Sequence, residues 1–598
     1  MSSSAESMVM VVWRGARRYH SRTPNEKHTP ESSPAFRVRW LAWLLLVLAL
    51  AAPWTRIPTD NADGAGMIAH LHALFESGEL LYDDEYQALG MSPLFAFVTE
   101  PGVVSNHWPI GASFAQAPGW LLGRLAGVLL VGEGVSARAA EWTIPLLGLR
   151  AWAIVVMIAL VLGVHAWLRA RTSSGVAALA GVALLLGTPL LYYASEAPMR
   201  PHLWGAALVA IVIARWWDAV DRATRDVASA RARGPWPAIE LAAWIGLATA
   251  IRPQLAMLVV LVAHERWLVG AGLDRRARVS LWVKHGLLAA LAWLPWAALN
   301  LRMQRWMYGE LGDYAGEVSL HVRAFLVSTH HGALVWCPVL VLGVLGLAIG
   351  LARKRPGAGV LLILLAAQIW LDAGTREIEP FTVLGTRTWT GGAGFGPRKL
   401  LDVAPIFMPA LIWLHEWLVE LPEAERRKWR TRLTIATIAS LIPTTLLHLA
   451  AWLDPHVTSE VMDGERLLIA MGLAFDPAVW SAAFDQRALP LRVPLVVAGV
   501  VGLPLALGCV AALRPARVDR AARVDRPARA AAIVVGLGVL AQVWLAIVIV
   551  RSEALLVEQP ERMARARAAM NPIHVTMVRL IPQHHAILRE RLGPEAAD

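Results

Sequence analysis

Apolar runs long enough to cross a bilayer recur along this chain from about residue 39 to residue 551. A helix needs roughly 20 apolar residues to traverse the hydrocarbon, with a range of about 17–25. By that measure the predicted spans are 39–55, 145–168, 175–193, 202–217, 237–251, 254–270, 283–300, 333–352, 358–372, 400–419, 432–453, 491–513 and 530–551. The connections between them alternate between arginine-rich and arginine-poor. The rich ones, at 169–171, 215–233, 271–284, 353–355, 425–432 and 514–529, belong on the cytosolic side by the positive-inside bias. One stretch, 117–131, is short and carries Arg124 at its middle. A crossing there would turn every later arginine-rich loop outward, so it is predicted as an amphipathic helix lying on the outer face. The fold class that follows is an all-α polytopic membrane protein of about thirteen transmembrane helices, N-terminus inside and C-terminus outside.

The same pattern divides the chain. Residues 1–36 read as a disordered cytosolic tail, polar and arginine-containing, without the apolar core and small-residue cleavage site of a signal peptide. Residues 37–430 form the core, with a long first external loop at 56–144. Such a loop is too long for a mere connector, and loops of that length are usually functional. Residues 431–551 add further spans, and 552–598 form an external tail.

Composition agrees. Of 598 residues, 56% are hydrophobic and only 17% charged, and the net charge is +11. That charge does not point to nucleic acid, because the excess basic residues sit in short loops between apolar runs. The two cysteines, Cys337 and Cys509, fall toward opposite membrane faces, which argues against a disulfide. Many of the 28 tryptophans lie at run edges, where indole rings favour the headgroup zone.

The polar external segments hold the candidate chemistry. The first loop opens with Asp60 and Asp63 directly after the first span, continues as a helix ending near Gly78, and then makes an acidic turn with Asp83, Asp84 and Glu85. A carboxylate in a partly desolvated interface can act as a proton acceptor; Asp60 or Asp63 would equally serve as a helix N-cap. His107 and Trp108 form a polar and aromatic pair suited to a sugar, or to anchoring at the membrane interface. Arg200 and His202 stand together at one external exit and Arg252 in a tight turn. His330 and His331 follow, and then Trp389 with Arg398 and Lys399 in a glycine-rich segment. External arginines run against the positive-inside bias; a phosphate at the outer surface would explain several of them, and snorkelling would explain any one.

This string of motifs resembles the bacterial integral-membrane glycosyltransferases of the GT-C fold, the group that includes protein O-mannosyltransferases and aminoarabinose lipid A transferases. The pieces that carry the resemblance are the Asp-Gly pair, helix and acidic turn (63–86), NHWPIG…APGWLLG (106–123), LGTPLLYYASEAPMRPH (186–202), GLATAIRPQ (246–254), STHHGALVWCPVL (328–340) and WTGGAGFGPRKLLDVAPIF (389–407). They cover about residues 40–420. The resemblance implies a GT-C-like bundle in the bacterial inner membrane and a sugar donor carried on a polyprenyl phosphate and used at the outer face. The acceptor would be a glycan, lipid or protein. The resemblance places the catalytic base on Asp63, with Asp60 second. This chain has Asp-Gly where some relatives have Asp-Glu; Asp84 or Glu85 would then supply the second acid. Some of these enzymes use a divalent metal and others do not, and no metal-ligand cluster stands out in the sequence. Arg398 and Lys399, with Arg252 or Arg200, would neutralise the leaving phosphate. The rival readings are a transporter or flippase, which needs polar residues near the bilayer midplane, and an O-antigen ligase or polymerase, which usually carries its key loop late in the chain.

Overall fold

The computed structural model describes residues 62–89, 97–106, 108–131, 135–309, 318–329, 331–376, 395–453, 464–473, 475–476 and 526–571. The tail at 1–36 and the predicted spans 39–55 and 491–513 lie outside the described residues. What is described is overwhelmingly helical. In chain order the helices are α1 (Ala62–His72), α2 (Asp83–Leu89), α3 (Gly111–Val131), α4 (Ile144–Arg169), α5 (Ser174–Leu186), α6 (Leu190–Ser195), α7 (His202–Arg225), α8 (Val227–Ala232) and α9 (Trp236–Ile251). They continue with α10 (Val259–Val269), α11 (Arg275–Tyr308), α12 (Val322–Val327), α13 (Ala333–Trp336), α14 (Leu340–Ala352) and α15 (Ala358–Ala373). The last are α16 (Arg398–Leu401), α17 (Phe407–Glu420), α18 (Glu423–Leu453), α19 (Gly464–Leu473), α20 (Arg526–Glu558) and α21 (560–571). Two three-residue strands, β1 (Val318–Leu320) and β2 (Gly374–Arg376), pair antiparallel with Val318 opposite Arg376.

Among the described residues six helices are long and apolar enough to cross a membrane: α3, α4 with the π turn before it, α7, α11, α18 and α20. Their outer surfaces say the same. Val283, Leu287, Leu291 and Leu294 on α11 are exposed, as are Ile435, Ile438 and Ile442 on α18 and Ile533, Leu537, Leu540, Trp544 and Ile547 on α20. At spacings of three and four residues these are continuous apolar stripes on single helix faces. Stripes of that length left uncovered would be untenable in water and mark a membrane-embedded protein. Several predicted spans are broken rather than continuous. The 175–193 run is α5 and α6, the 254–270 run is a 3-10 turn (Pro253–Leu258) and α10, the 333–352 run is α13 and α14, and the 400–419 run is α16, a 3-10 turn (Ala404–Ile406) and α17.

The bundle has two chemically different ends. At one, the arginines of the predicted cytosolic loops form ion pairs: Arg171 with Asp218 at 2.5 Å, Arg215 with Glu240 at 3.3 Å, Arg353 with Glu420 at 2.5 Å and Arg355 with Glu416 at 2.7 Å. At the other lie the ends of α9 and α15 and the starts of α7 and α16. Helix α3 has the length and composition to cross, yet both its ends meet this second end. A Cβ at Gly111 would strike Ala250, and one at Gly127 would strike Ala140, just before α4. Between them Arg124 pairs with Glu76 of the first loop at 3.0 Å.

Close helix approach rests on small residues, as expected where lipid supplies no hydrophobic drive between helices. Gly119 and Gly123 of α3 face Gly148 and Pro145 of α4, and Gly127 faces Ala140 in the π turn before it; a Cβ at Gly123 would come within 2.8 Å of Pro145 Cα. Gly343, Gly346 and Gly350 of α14 likewise receive Phe407, Ala410 and Trp413 of α17, with 2.3 Å to the Ala410 carbonyl oxygen from a Cβ at Gly346. Gly163, by contrast, has open space where its Cβ would be. Gly346→Leu is therefore expected to cost about 1–3 kcal/mol or more by overpacking, while Gly163→Leu should be near neutral. Thermal unfolding of the two purified variants in detergent checks this; equal melting points would mean that the α14–α17 approach does not limit stability.

Candidate functional site

The sequence places four helix breaks at one point, and each break delivers a charged or polar side chain. Pro253 forces the residue before it out of helical conformation; Arg252 accordingly ends α9 with φ −143° and ψ 105°. Pro201 precedes α7, so His202 is its first residue. Gly396 sits at φ +59°, a left-handed conformation that glycine adopts without cost, and with Pro397 it starts α16 at Arg398 and Lys399. Asp402 lies in the short step between α16 and the turn before α17.

These breaks converge on Asp402, which is wholly buried. Arg252 Nε lies 3.1 Å from its Oδ2, and His202 Nδ1 lies 3.3 Å from its Oδ1. Arg252 Nη1 is also 3.2 Å from His202 Nδ1. Gly205, one turn into α7, leaves the room: a Cβ there would sit 3.1 Å from Asp402 Oδ1. Asp372, in the last turn of α15, is the second buried carboxylate and accepts from Gln368 Nε2 at 2.8 Å. Lys399 and Arg398 act electrostatically on both Asp372 and Asp402, and Arg200 acts on His202. Among the described residues, then, four cations (Arg200, Arg252, Arg398, Lys399) gather with His202 around two carboxylates. Charges out of water are tolerated only when paired and hydrogen-bonded, and a cluster weighted toward arginine forks suits a phosphate or carboxylate ligand.

An aromatic cage holds the α16 end of this site. Tyr193 hydroxyl accepts from Phe395 N–H at 3.1 Å and donates to Phe395 O at 3.2 Å. The Phe395 ring is stacked on Tyr192 at 4.9 Å and on His448 at 4.5 Å, with Trp336 edge-on at 5.1 Å. His331 packs its ring against Trp336 and is buried, with φ +67°. A non-glycine residue held there carries backbone strain, which tends to cluster at functional sites.

Beside the cluster runs an apolar groove of about 180 Å³ between α5, α14, α17 and α18, lined by Val176, Ala183, Leu340, Phe407, Leu411 and Leu433. It reaches Ala404 and Pro405, two and three residues past Asp402, and at its other end His415 and Arg430.

The first loop forms a second polar set. Helix α1 runs on through a π turn (Ala73–Ser77) to Gly78, left-handed at φ +66°, where the sequence predicts the helix end. The predicted acidic turn is instead helical: Asp83, Asp84 and Glu85 make the first turn of α2, where carboxylates meet the positive end of the helix dipole. Glu85 is buried, accepting from Ser77 Oγ at 3.1 Å and lying 2.9 Å from His72 Nδ1. Asp84 is bound by Arg562 of α21 at 2.8 Å. Burial pushes the Glu79 and Asp84 carboxyls above the ordinary range, partly offset by Arg562. Trp108 is buried with its indole over Gly66, where a Cβ would approach to 2.0 Å. The two sets are distinct. The charged neighbours of Asp84 are Asp83, Arg562, Glu85 and His72, whereas those of Asp402 are Arg252, Asp372, Lys399 and Arg398.

Of the residues singled out in the sequence, Arg200, His202, Arg252, Arg398 and Lys399 are thus brought together, with His331 at the adjoining aromatic cage, while Asp84, Glu85 and Trp108 belong to the first loop. Asp63 is in the first turn of α1, and Asp60, His107, His330 and Trp389 lie outside the described residues. Sequence reasoning missed Asp402, Asp372 and Gln368. The signal was present: an aspartate inside a predicted span is a functional candidate by default, and both aspartates fell inside predicted spans. It also missed Arg150, buried within α4. Among the described residues no three His, Cys, Asp or Glu side chains are grouped to hold a metal ion. Comparison with family models, curated proteins and solved structures finds no match for this chain.

Removing one partner of a buried ion pair leaves an uncompensated charge. Asp402→Leu should therefore cost about 3–5 kcal/mol, and adding Arg252→Met should recover most of that loss. Melting points of the two single variants and the double variant decide it: simple additivity would mean that the two side chains are not coupled.

Proposed function

We propose that this protein is a membrane glycosyltransferase of the GT-C kind, a bundle of about thirteen membrane helices that moves a sugar from a polyprenyl phosphate to an acceptor hydroxyl. The observation that carries the reading is the convergence of Arg200, Arg252, Arg398, Lys399 and His202 on one buried site beside an apolar groove. A ligand with a phosphate head and a hydrocarbon tail satisfies both halves of that arrangement; a soluble anion would leave the groove without purpose. The positive-inside bias assigns the arginine-rich end of the bundle to the cytosol, so the site opens to the outer face of a bacterial inner membrane.

In this reading the acceptor oxygen attacks the anomeric carbon, forming the new glycosidic bond as the bond from that carbon to the phosphate oxygen breaks. The electron pair leaves on the phosphate, where the arginine forks and Lys399 stabilise the growing charge. The acceptor proton passes to Asp63, or to Asp60 in its place. A single displacement inverts the anomeric configuration. Asp402 and Asp372 keep the cations ordered and partly neutralised while the site is empty.

Two variants test the assignment in nanodiscs with a polyprenyl-phosphate sugar as donor. Asp63→Asn should fold and bind donor but lose transfer, since an amide takes no proton; transfer that survives in Asp63→Asn but not in Asp60→Asn would move the base. Arg398→Ala should weaken donor use by roughly ten- to a hundredfold, the equivalent of about 1.5–3 kcal/mol for a charge-assisted contact, and Arg398→Lys should restore only part of it. An unchanged donor curve for Arg398→Ala would remove it from the phosphate site. Donor binding without transfer to any acceptor would favour a lipid-phosphate carrier.

A further inference from the structure

The C-terminal third carries no motif in the sequence, yet its last described helices grip the first loop at five points. Arg562 of α21 is the centre. Its Nε and Nη2 donate to the two oxygens of Asp83 at 2.7 Å each, Nη2 also donates to Asp84 at 2.8 Å, and Nη1 lies 2.8 Å from Glu79. One guanidinium thus uses its fork on three carboxylates. Without it three acids would face one another across a few ångströms, with Glu85 close behind, so this part of the loop depends on a cation from another element. Although burial opposes the charge on Arg562, its bonds to Asp83 and Glu79 outweigh this and raise its pKa.

The other contacts are directional as well. Asn571 pairs with the backbone of Val98 on both sides, accepting from its N–H at 2.8 Å and donating to its carbonyl at 3.0 Å. Arg567 donates to Thr99 O at 3.2 Å, Ser552 Oγ accepts from Leu80 N–H at 2.8 Å, and Trp544 donates to Leu74 O at 3.1 Å. From there the path to α1 is short. Val98 bridges to Val104, the Tyr86 hydroxyl of α2 donates to Ser105 O at 3.0 Å, and Asn106 Nδ2 donates to Gly66 O at 3.0 Å. Gly66 stands three residues after Asp63.

We propose that Arg562 is a positioning residue: by gathering Glu79, Asp83 and Asp84 it clamps the first loop to the C-terminal helices and so fixes the first turn of α1, which carries Asp63. The clamp itself stands on the contacts above; its effect on turnover rests on the reading of Asp63 as base.

The test uses the full chain in nanodiscs, with hydrogen exchange and steady-state kinetics on Arg562→Ala, Arg562→Lys and Asp83→Asn. In Arg562→Ala, amide exchange over 62–72, 78–89 and 97–106 should rise about tenfold or more while α7 and α9 keep their protection. Arg562→Lys should recover part, and Asp83→Asn, which leaves the guanidinium in place, should show an intermediate rise. With a polyprenyl-phosphate sugar, kcat should fall while the donor KM holds, because the phosphate site is a separate cluster. Unchanged exchange over 62–72 in a folded Arg562→Ala protein would overturn the clamp. So would general loss of protection in α7 and α9 in both Arg562→Lys and Asp83→Asn, which would mark a merely global effect. Raised loop exchange with kcat unchanged would leave the clamp standing and overturn the role of Asp63.

Discussion

A carboxylate removed from water among packed helices has to be held by cations, and Asp402 imposes that requirement on everything around it. It draws Arg252 from the end of α9 and His202 from the start of α7, and the glycine at position 205 exists as an opening for its oxygen. The helices consequently stop where they do. Had α9 continued through Pro253, or α7 begun a turn later, a buried charge would be left without its partner at a cost of several kcal/mol. The irregular backbone at these breaks is what a membrane protein tolerates only where it is buried in protein or lines a cavity.

The same economy of polar groups explains the contrast between the two ends of the bundle. At the arginine-rich end the pairs of Arg171, Arg215, Arg353 and Arg355 are partly exposed and contribute little individually; they orient the chain rather than stabilise it. At the other end the charges around Asp402 are buried, and they sit at helix ends rather than mid-span. That distribution weighs against a transport path through the midplane, which would need polar groups along the helices. It accords with the proposed reading, in which the ligand is met at the membrane surface and its tail lies along the groove between α5, α14, α17 and α18.

Much of this was legible in the sequence, for reasons that can be stated. Hydropathy and arginine alternation located α4, α9 and α15 to within a few residues, and the start of α7, which runs eight residues past its predicted end, because burial in lipid demands an apolar run and translocation sorts the basic loops. The external arginines were conspicuous for the same reason, and Arg200, Arg252 and Arg398 do share one site. What escaped is what depends on tertiary contact. Asp402 looked like a residue near the start of a span until its partners, 150 and 200 positions earlier in the chain, were beside it. The glycines at 343, 346 and 350 blended into an apolar run whose facing ridge, Phe407 to Trp413, no local pattern specifies. Asp84 and Glu85, read as an acidic turn that would supply a second acid, are held by Arg562 and His72.

The fate of that acidic segment bears on how the two polar sets work together. A loop bearing the proposed proton acceptor would gain from being rigid, since a displacement of about 1 Å can cost a hundredfold in rate. Its helices α1 and α2 are short, and isolated helices of such length are marginal. Rigidity must therefore be borrowed. Tyr82 and His70 supply some of it from within, with a 2.7 Å hydrogen bond in the buried interior of the loop. The rest comes from α20 and α21, long or well-anchored elements that the loop can lean on. The cationic cluster is held differently: the ends of α7, α9 and α15 place His202, Arg252 and Asp372, and the aromatic cage around Phe395 holds the start of α16 with Arg398 and Lys399. In the proposed reading, a phosphate site built on the bundle and an acid carried by a braced loop would be positioned by different parts of the chain, so substitution should separate binding from turnover.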